Sequence, residues 1–196
     1  MQQIKSMKKI AVLAALGILA SASLFAQRTV PVNLERMVKQ AGVIVHATVA
    51  KTESARDPRT HLLYTQVTLD VKENFFGAAD AMYSFRQYGG SEQGHHFYPE
   101  GMVHYKAGDD IVILLYAKSS SGLQSPVGMK QGIFSVSADT KTNARVVANQ
   151  LNNRGLFAGM QSSSMLAKKN AAADPGPVHY EEFAQTLRIL VQQLKK

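Results

Sequence analysis

Residues 62–71 read Leu62-Leu63-Tyr64-Thr65-Gln66-Val67-Thr68-Leu69-Asp70-Val71. Leu63, Thr65, Val67, Leu69 and Val71 fall on one side of an extended chain, and Tyr64, Gln66, Thr68 and Asp70 on the other. Successive side chains of a strand point to opposite faces, so this alternation predicts a strand with one buried face. The stretch at 41–50, AGVIVHATVA, repeats the period: Val43, Val45, Ala47 and Val49 oppose Ile44, His46 and Thr48. With the polar KTESARDPRTH (51–61) between them, the two read as a long hairpin with an irregular tip.

Working outward, AMYSFRQY (81–88) is a third strand, ended by Gly89-Gly90. MVHYKAGDDIVILLYAK (102–118) predicts a short strand, a turn at Ala107-Gly108-Asp109 and an apolar strand from Ile111 to Tyr116. The latter does not alternate, which implies burial on both faces. GMKQGIFSVSA (128–138) is a further strand, with Gly132 as a bulge or close backbone approach, and ARVVANQ (144–150) adds a last one. VNLERMVKQA (32–41) has helical spacing, with Asn33 as N-cap and Gly42 as stop.

The start of the chain has the layout of a secretory signal peptide. Lys5, Lys8 and Lys9 precede an apolar run from Ile10 to Ala22, and small residues follow. Cleavage is expected after Ala26, with Ala22 as the alternative. Those three lysines account for part of the net charge of +8, leaving +5 scattered over the rest. Without a basic cluster interleaved with aromatics, nucleic acid binding is not expected. The chain has no cysteine, which excludes a thiol nucleophile, a cysteine-ligated zinc and a lipid-modified cysteine anchor.

The expected organisation is a signal peptide over 1–26, a β-barrel domain with an N-terminal helix over 27–150, a flexible linker over 151–177 and an amphipathic helix over 178–196. The linker rests on the Ser-, Ala-, Asn- and Gly-rich composition around QSSSMLAKKNAAADPGP (161–177). In the helix Phe183, Leu187, Leu190, Val191 and Leu194 line one side, suited to packing on the barrel or to a membrane surface. The fold class is therefore mainly β: a small Greek-key barrel of the oligonucleotide/oligosaccharide-binding (OB) kind, with a helix before and after.

The order AGVIVHATV, YTQVTLDVKENFFG, GGSEQG, EGMVHYKAGDDIVILLY and QGIFSV, spanning about residues 34–138, resembles a broad group of uncharacterised secreted bacterial proteins. The chain departs from that pattern at Gly42, Ala47 and Phe76, where the group has an acid, a glycine and a lysine. The layout is also similar to the netrin-like barrel of tissue inhibitors of metalloproteinases. Those act through an N-terminal cysteine that this chain lacks, so the resemblance implies a fold and assigns no functional residue.

Chemistry-bearing residues concentrate in QGHHFYPEG (93–101). A zinc hydrolase could use His95, His96 and His104, with Glu92 and Glu100 nearby. Neighbouring histidines on a strand point apart, however, and no pre-set ligand spacing such as H-E-x-x-H is present. No G-x-S-x-G elbow or phosphate loop occurs either. His46, mid-strand, suits a half-buried, hydrogen-bonded role. The reading is a non-enzymatic binding module without cofactor, exported to the periplasm or beyond, meeting a protein or an extracellular polymer. Its binding residues are expected to be Tyr88, Gly89, Gly90, His95, His96, Phe97 and Tyr98. A structural envelope protein held at a membrane surface by the last helix is the remaining alternative.

Overall fold

The computed structural model describes residues 30–78, 80–161 and 175–195. The expected signal peptide, and residues 162–174 of the expected linker, lie outside them. The architecture of residues 31–195 is mainly β, with one seven-stranded antiparallel sheet, a two-stranded hairpin and two helices.

Helix α1 spans Leu34–Gln40, and Asn33 caps it by accepting from the Arg36 amide at 2.9 Å. Strand β1 (Val43–Arg56) follows, then β2 (Leu63–Phe76) and β3 (Met82–Tyr88). The small hairpin β4 (Gly90–Glu92) and β5 (His95–Phe97) leads to β6 (Asp110–Leu115). A 3-10 turn at Met129–Gly132 enters β7 (Ile133–Ala138), followed by β8 (Arg145–Asn149), β9 (Val178–His179) and helix α2 (Tyr180–Leu194).

The strand order is β3-β2-β1-β6-β7-β8-β9. This sheet is open, whereas the sequence pattern led us to expect a closed barrel. β1 and β2 are also longer than their apolar cores. The polar residues 51–56 continue the ladder from Lys51↔Thr68 to Arg56↔Leu63, so the expected connection shrinks to 57–62. Three register shifts along β1, at Ile44/Val45, His46/Ala47 and Val49/Lys51, bend the pair. The short strand expected before the 107–109 turn is not formed: residues 102–106 carry no ladder pairing. Gly132 is the expected close approach, since a Cβ there would sit 2.3 Å from the Val127 carbonyl oxygen.

The alternation of β1 divides the core in two. Val43, Val45, Ala47 and Val49 join Val67, Leu69, Phe85, Ile111, Ile113 and Leu115 on one face. Ile44 joins Val112, Leu114, Phe134 and Val147 on the other, under Leu34, Met37 and Val38 of α1 and Phe183, Leu187 and Leu190 of α2. Burial of β6 on both faces explains why Ile111–Leu115 shows no period. The apolar side of α2 is thus used inside the fold; what it leaves exposed includes Glu181, Glu182, Gln185 and Arg188. Among the described residues no helix is long and apolar enough to cross a membrane.

The first part of the expected linker is packed chain. Residues 151–159 form consecutive turns in which Leu156 and Phe157 are buried against α1 and α2. Buried Asn153 holds these turns. Its amide donates to the carbonyls of Val147 and Gly176 at 2.9 Å each, and its Oδ1 accepts from the Asn149 amide at 3.0 Å.

Candidate functional site

Beside the end of β3 the surface opens into a cleft of about 370 Å³. One wall is Tyr88 with Pro99, Met102 and Val103; the other is Tyr116, Leu123, Pro126 and Met129. The walls come from opposite ends of the β3–β2–β1–β6 region and are joined by the 119–127 segment. The Gln124 amide donates to the Arg86 carbonyl at 2.8 Å, and the Val127 amide donates to the Leu114 carbonyl at 2.8 Å. Bridges Arg86↔Leu123 and Leu115↔Pro126 fix the same segment to β3 and β6.

Of the eight large apolar side chains left exposed among the described residues, three line this cleft: Tyr88, Tyr116 and Met129. Tyr88 and Phe97 pack ring to ring at 5.1 Å. An exposed apolar group is ordinary singly and informative when clustered in a concavity with a few polar groups. The glutamines in the cleft are already engaged. Gln87 donates to the Val103 carbonyl at 2.9 Å; Gln124 donates to the Tyr116 carbonyl at 2.9 Å and accepts from the Tyr83 hydroxyl at 2.8 Å. They brace the walls and leave the apolar surface to meet a ligand.

Of the seven residues expected in the binding loop, one belongs to the lining of this cleft. Tyr88 lines it. Gly89 (φ +95°) lets the loop fold back: a Cβ there would lie 2.7 Å from both the Phe97 oxygen and Pro99 Cδ. Gly90 pairs with Phe97 in the hairpin. Tyr98 stands between the rings of His96 (6.4 Å) and His104 (4.9 Å).

His95 and His96 are consecutive on β5 and exposed. Ser91 Oγ and His96 Nδ1 are hydrogen-bonded at 2.7 Å. Among the described residues no three His, Asp or Glu side chains converge as a metal would require, so His95, His96 and His104 are not assembled into a zinc centre.

A second polar group lies on the other side of β1. His46, 3% exposed, meets Asp110 Oδ1 through Nε2 at 2.8 Å and the Tyr180 hydroxyl through Nδ1 at 2.8 Å. The Tyr180 hydroxyl is also 3.2 Å from Glu73 Oε2, and Arg188 donates to Glu73 Oε1 at 2.6 and 2.8 Å. Lys72 pairs with Asp110 at 2.9 Å. The Asp110 carboxylate can only accept, and the Tyr180 hydroxyl sits between His46 Nδ1 and Glu73 Oε2. Burial, with the Glu73 carboxylate beside it, pushes the Tyr180 hydroxyl up to about 12, so it serves as a donor and not as an anion. His46 and Tyr180 are both buried, which closes the group to substrates; it ties α2 to β1 and β2.

No family model, curated protein or solved structure matches the chain.

Proposed function

We propose that the protein is an exported binding module, and that the cleft between Tyr88 and Met129 is its recognition surface. The observation that carries this is that three of the eight exposed large apolar side chains, Tyr88 with Phe97 packed on it, Tyr116 and Met129, line one concavity whose walls are braced by internal hydrogen bonds. Preformed apolar concavities of this size take side chains of a partner or small apolar groups. The uncharacterised secreted bacterial group named above is the family context we propose.

We also read the β3–β2–β1–β6 region as a barrel of the OB or netrin kind. The support is the 119–127 segment, which bridges β3 at Leu123 and β6 at Pro126, and the apolar lining that Val45, Ala47, Val67, Leu69, Phe85 and Ile113 would form inside it. Barrels of this kind bind with a strand face and the loops beside it, which is where the cleft lies.

Export is tested by N-terminal sequencing of the processed protein, expected to begin at Gln27 or Ser23. Binding is tested with a photo-crosslinking residue at Met129, compared with one at Met82, which is exposed at the far end of β3. A partner captured at Met129 alone, identified and rebuilt from purified components, should lose at least tenfold in affinity in Tyr88→Ala/Tyr116→Ala. Unchanged affinity in that variant would end the assignment of the cleft.

A further inference from the structure

The cleft does not stand alone. A smaller concavity of about 210 Å³, lined by Gln66, Arg86, Lys118 and Gly122, adjoins it. Arg86 is the chain neighbour of Gln87 in the cleft, Lys118 lies between Ala117 and Ser119, and Gly122 precedes Leu123. On the other side a shallow groove of about 420 Å³ shares Val103 with the cleft and carries His104 and Lys130, the latter next to Met129. Both neighbours carry cations, and the cleft itself is apolar.

No aspartate or glutamate lines any of the three. Lys118 and Lys130 have no ion-pair partner among the described residues. Arg86 is partly committed, 4.0 Å from Asp57 and stacked over the Tyr64 ring. Half of the other described lysines and arginines are matched, as in Lys39–Glu35, Lys51–Glu53, Lys72–Asp110 and Arg188–Glu73, so what sets Lys118 and Lys130 apart is their place beside an apolar cleft with no acid in its lining. Two unmatched lysines bracketing one apolar cleft therefore select for charge of the opposite sign on either side of an apolar anchor.

Resting on the cleft as recognition surface, we propose that its partner is an acidic peptide segment: one or two apolar side chains seated in the cleft, with carboxylates on both sides facing Lys118 and Lys130. The apolar middle favours a peptide over an anionic polysaccharide, whose hydroxyls would find both cleft glutamines already taken. The apolar anchor supplies the affinity, and the flanking pairs, being exposed, each contribute a factor of about five and a strong salt dependence.

The experiment is a selection of random 12-residue peptides on the full processed chain, followed by fluorescence polarisation with the synthetic winners and their variants. Enrichment of sequences with an apolar residue flanked by Asp or Glu is expected. Binding should weaken about tenfold or more in Lys118→Glu/Lys130→Glu, and similarly when the peptide's acids become Asn or Gln. Enrichment of neutral or basic sequences that still lose binding in Tyr88→Ala/Tyr116→Ala would overturn the acidic class and leave the cleft standing. No enrichment, or winners indifferent to all four substitutions, would overturn both. An alginate oligosaccharide that binds at the same lysines where no peptide does would also overturn the proposal.

Discussion

Replacing Tyr180 by Phe removes one oxygen from the buried network and leaves the ring in place between His46, 4.8 Å away, and the Arg145 guanidinium, 4.2 Å away. Two groups lose a partner. Among the described residues His46 Nδ1 has no other hydrogen-bond partner, while Glu73 keeps Arg188. An orphaned buried polar group costs about 1–3 kcal/mol, and that is the expected loss at pH 7.

The pH dependence carries more information. The Tyr180 hydroxyl is raised from 10.0 to about 12 in the folded protein. The unfolded chain releases that proton near pH 10, whereas the fold retains it to about 12. The stability from this group is therefore complete below pH 10 and drains away between 10 and 12. At about 1.4 kcal/mol per unit it amounts to about 2–3 kcal/mol in all. Tyr105, raised in the same direction by burial, adds a like slope to parent and variant, so the difference between the two isolates Tyr180. Urea unfolding followed by far-UV circular dichroism should show the curves separated at pH 7 and converging between pH 10 and 12. A variant within 0.5 kcal/mol of the parent at pH 7, with a parallel alkaline limb, would refute the network as a tie between helix and sheet.

Gly42→Ala puts a Cβ 2.6 Å from Ala117 Cα, a backbone atom that cannot step aside, and should cost about 2 kcal/mol or more in the same assay. Gly94→Ala, in the open tip of the small hairpin, meets nothing and carries only the strain of its φ of +80°, about 1 kcal/mol; equal losses at the two sites would contradict the crowding argument. Phe183→Ala empties a fully buried site 4.7 Å from the Phe134 ring and should cost about 3–5 kcal/mol. Asn153→Ala removes three hydrogen bonds, two of them buried, and should cost about 2–4 kcal/mol by urea unfolding, against near zero if residues 151–159 were a free linker.

What could be read from the residues was local. The period of two in β1 and β2, the loss of that period in β6 and the Asn33 cap are properties of a few neighbours, and each is where it was expected. Tyr83 and Phe85 share a face and are inward, while Tyr88, out of phase with them, stands at the cleft. The rest depended on chain separation. Tyr180 reaches His46 across 134 residues, and no spacing rule connects them. Leu156 and Phe157 were hidden because polar neighbours dominate the composition, yet Asn149 and Asn153 are polar in order to close buried turns. The second cleft wall left one trace: Tyr116, Leu123, Pro126 and Met129 interrupt a Ser- and Gly-rich stretch that a purely solvated loop would not need.

The two faces of β1 divide the work of the molecule. On one, Val43 to Val49 bury a lining that sets where β3 and β6 lie, and so how far apart the cleft walls stand. On the other, His46 and Ile44 hold the helices. An apolar contact alone would allow α2 to slide along the sheet, because hydrophobic burial is non-directional. The Asp110–His46–Tyr180 line is directional: each member has one position at which its neighbour is 2.8 Å away. Asp110 also stands at the start of β6, opposite Thr48, so the same residue that orients the histidine fixes the register of the strand leading to Tyr116. A perturbation at His46 should therefore reach the cleft through β6, while one at the exposed tip of the hairpin has no such path.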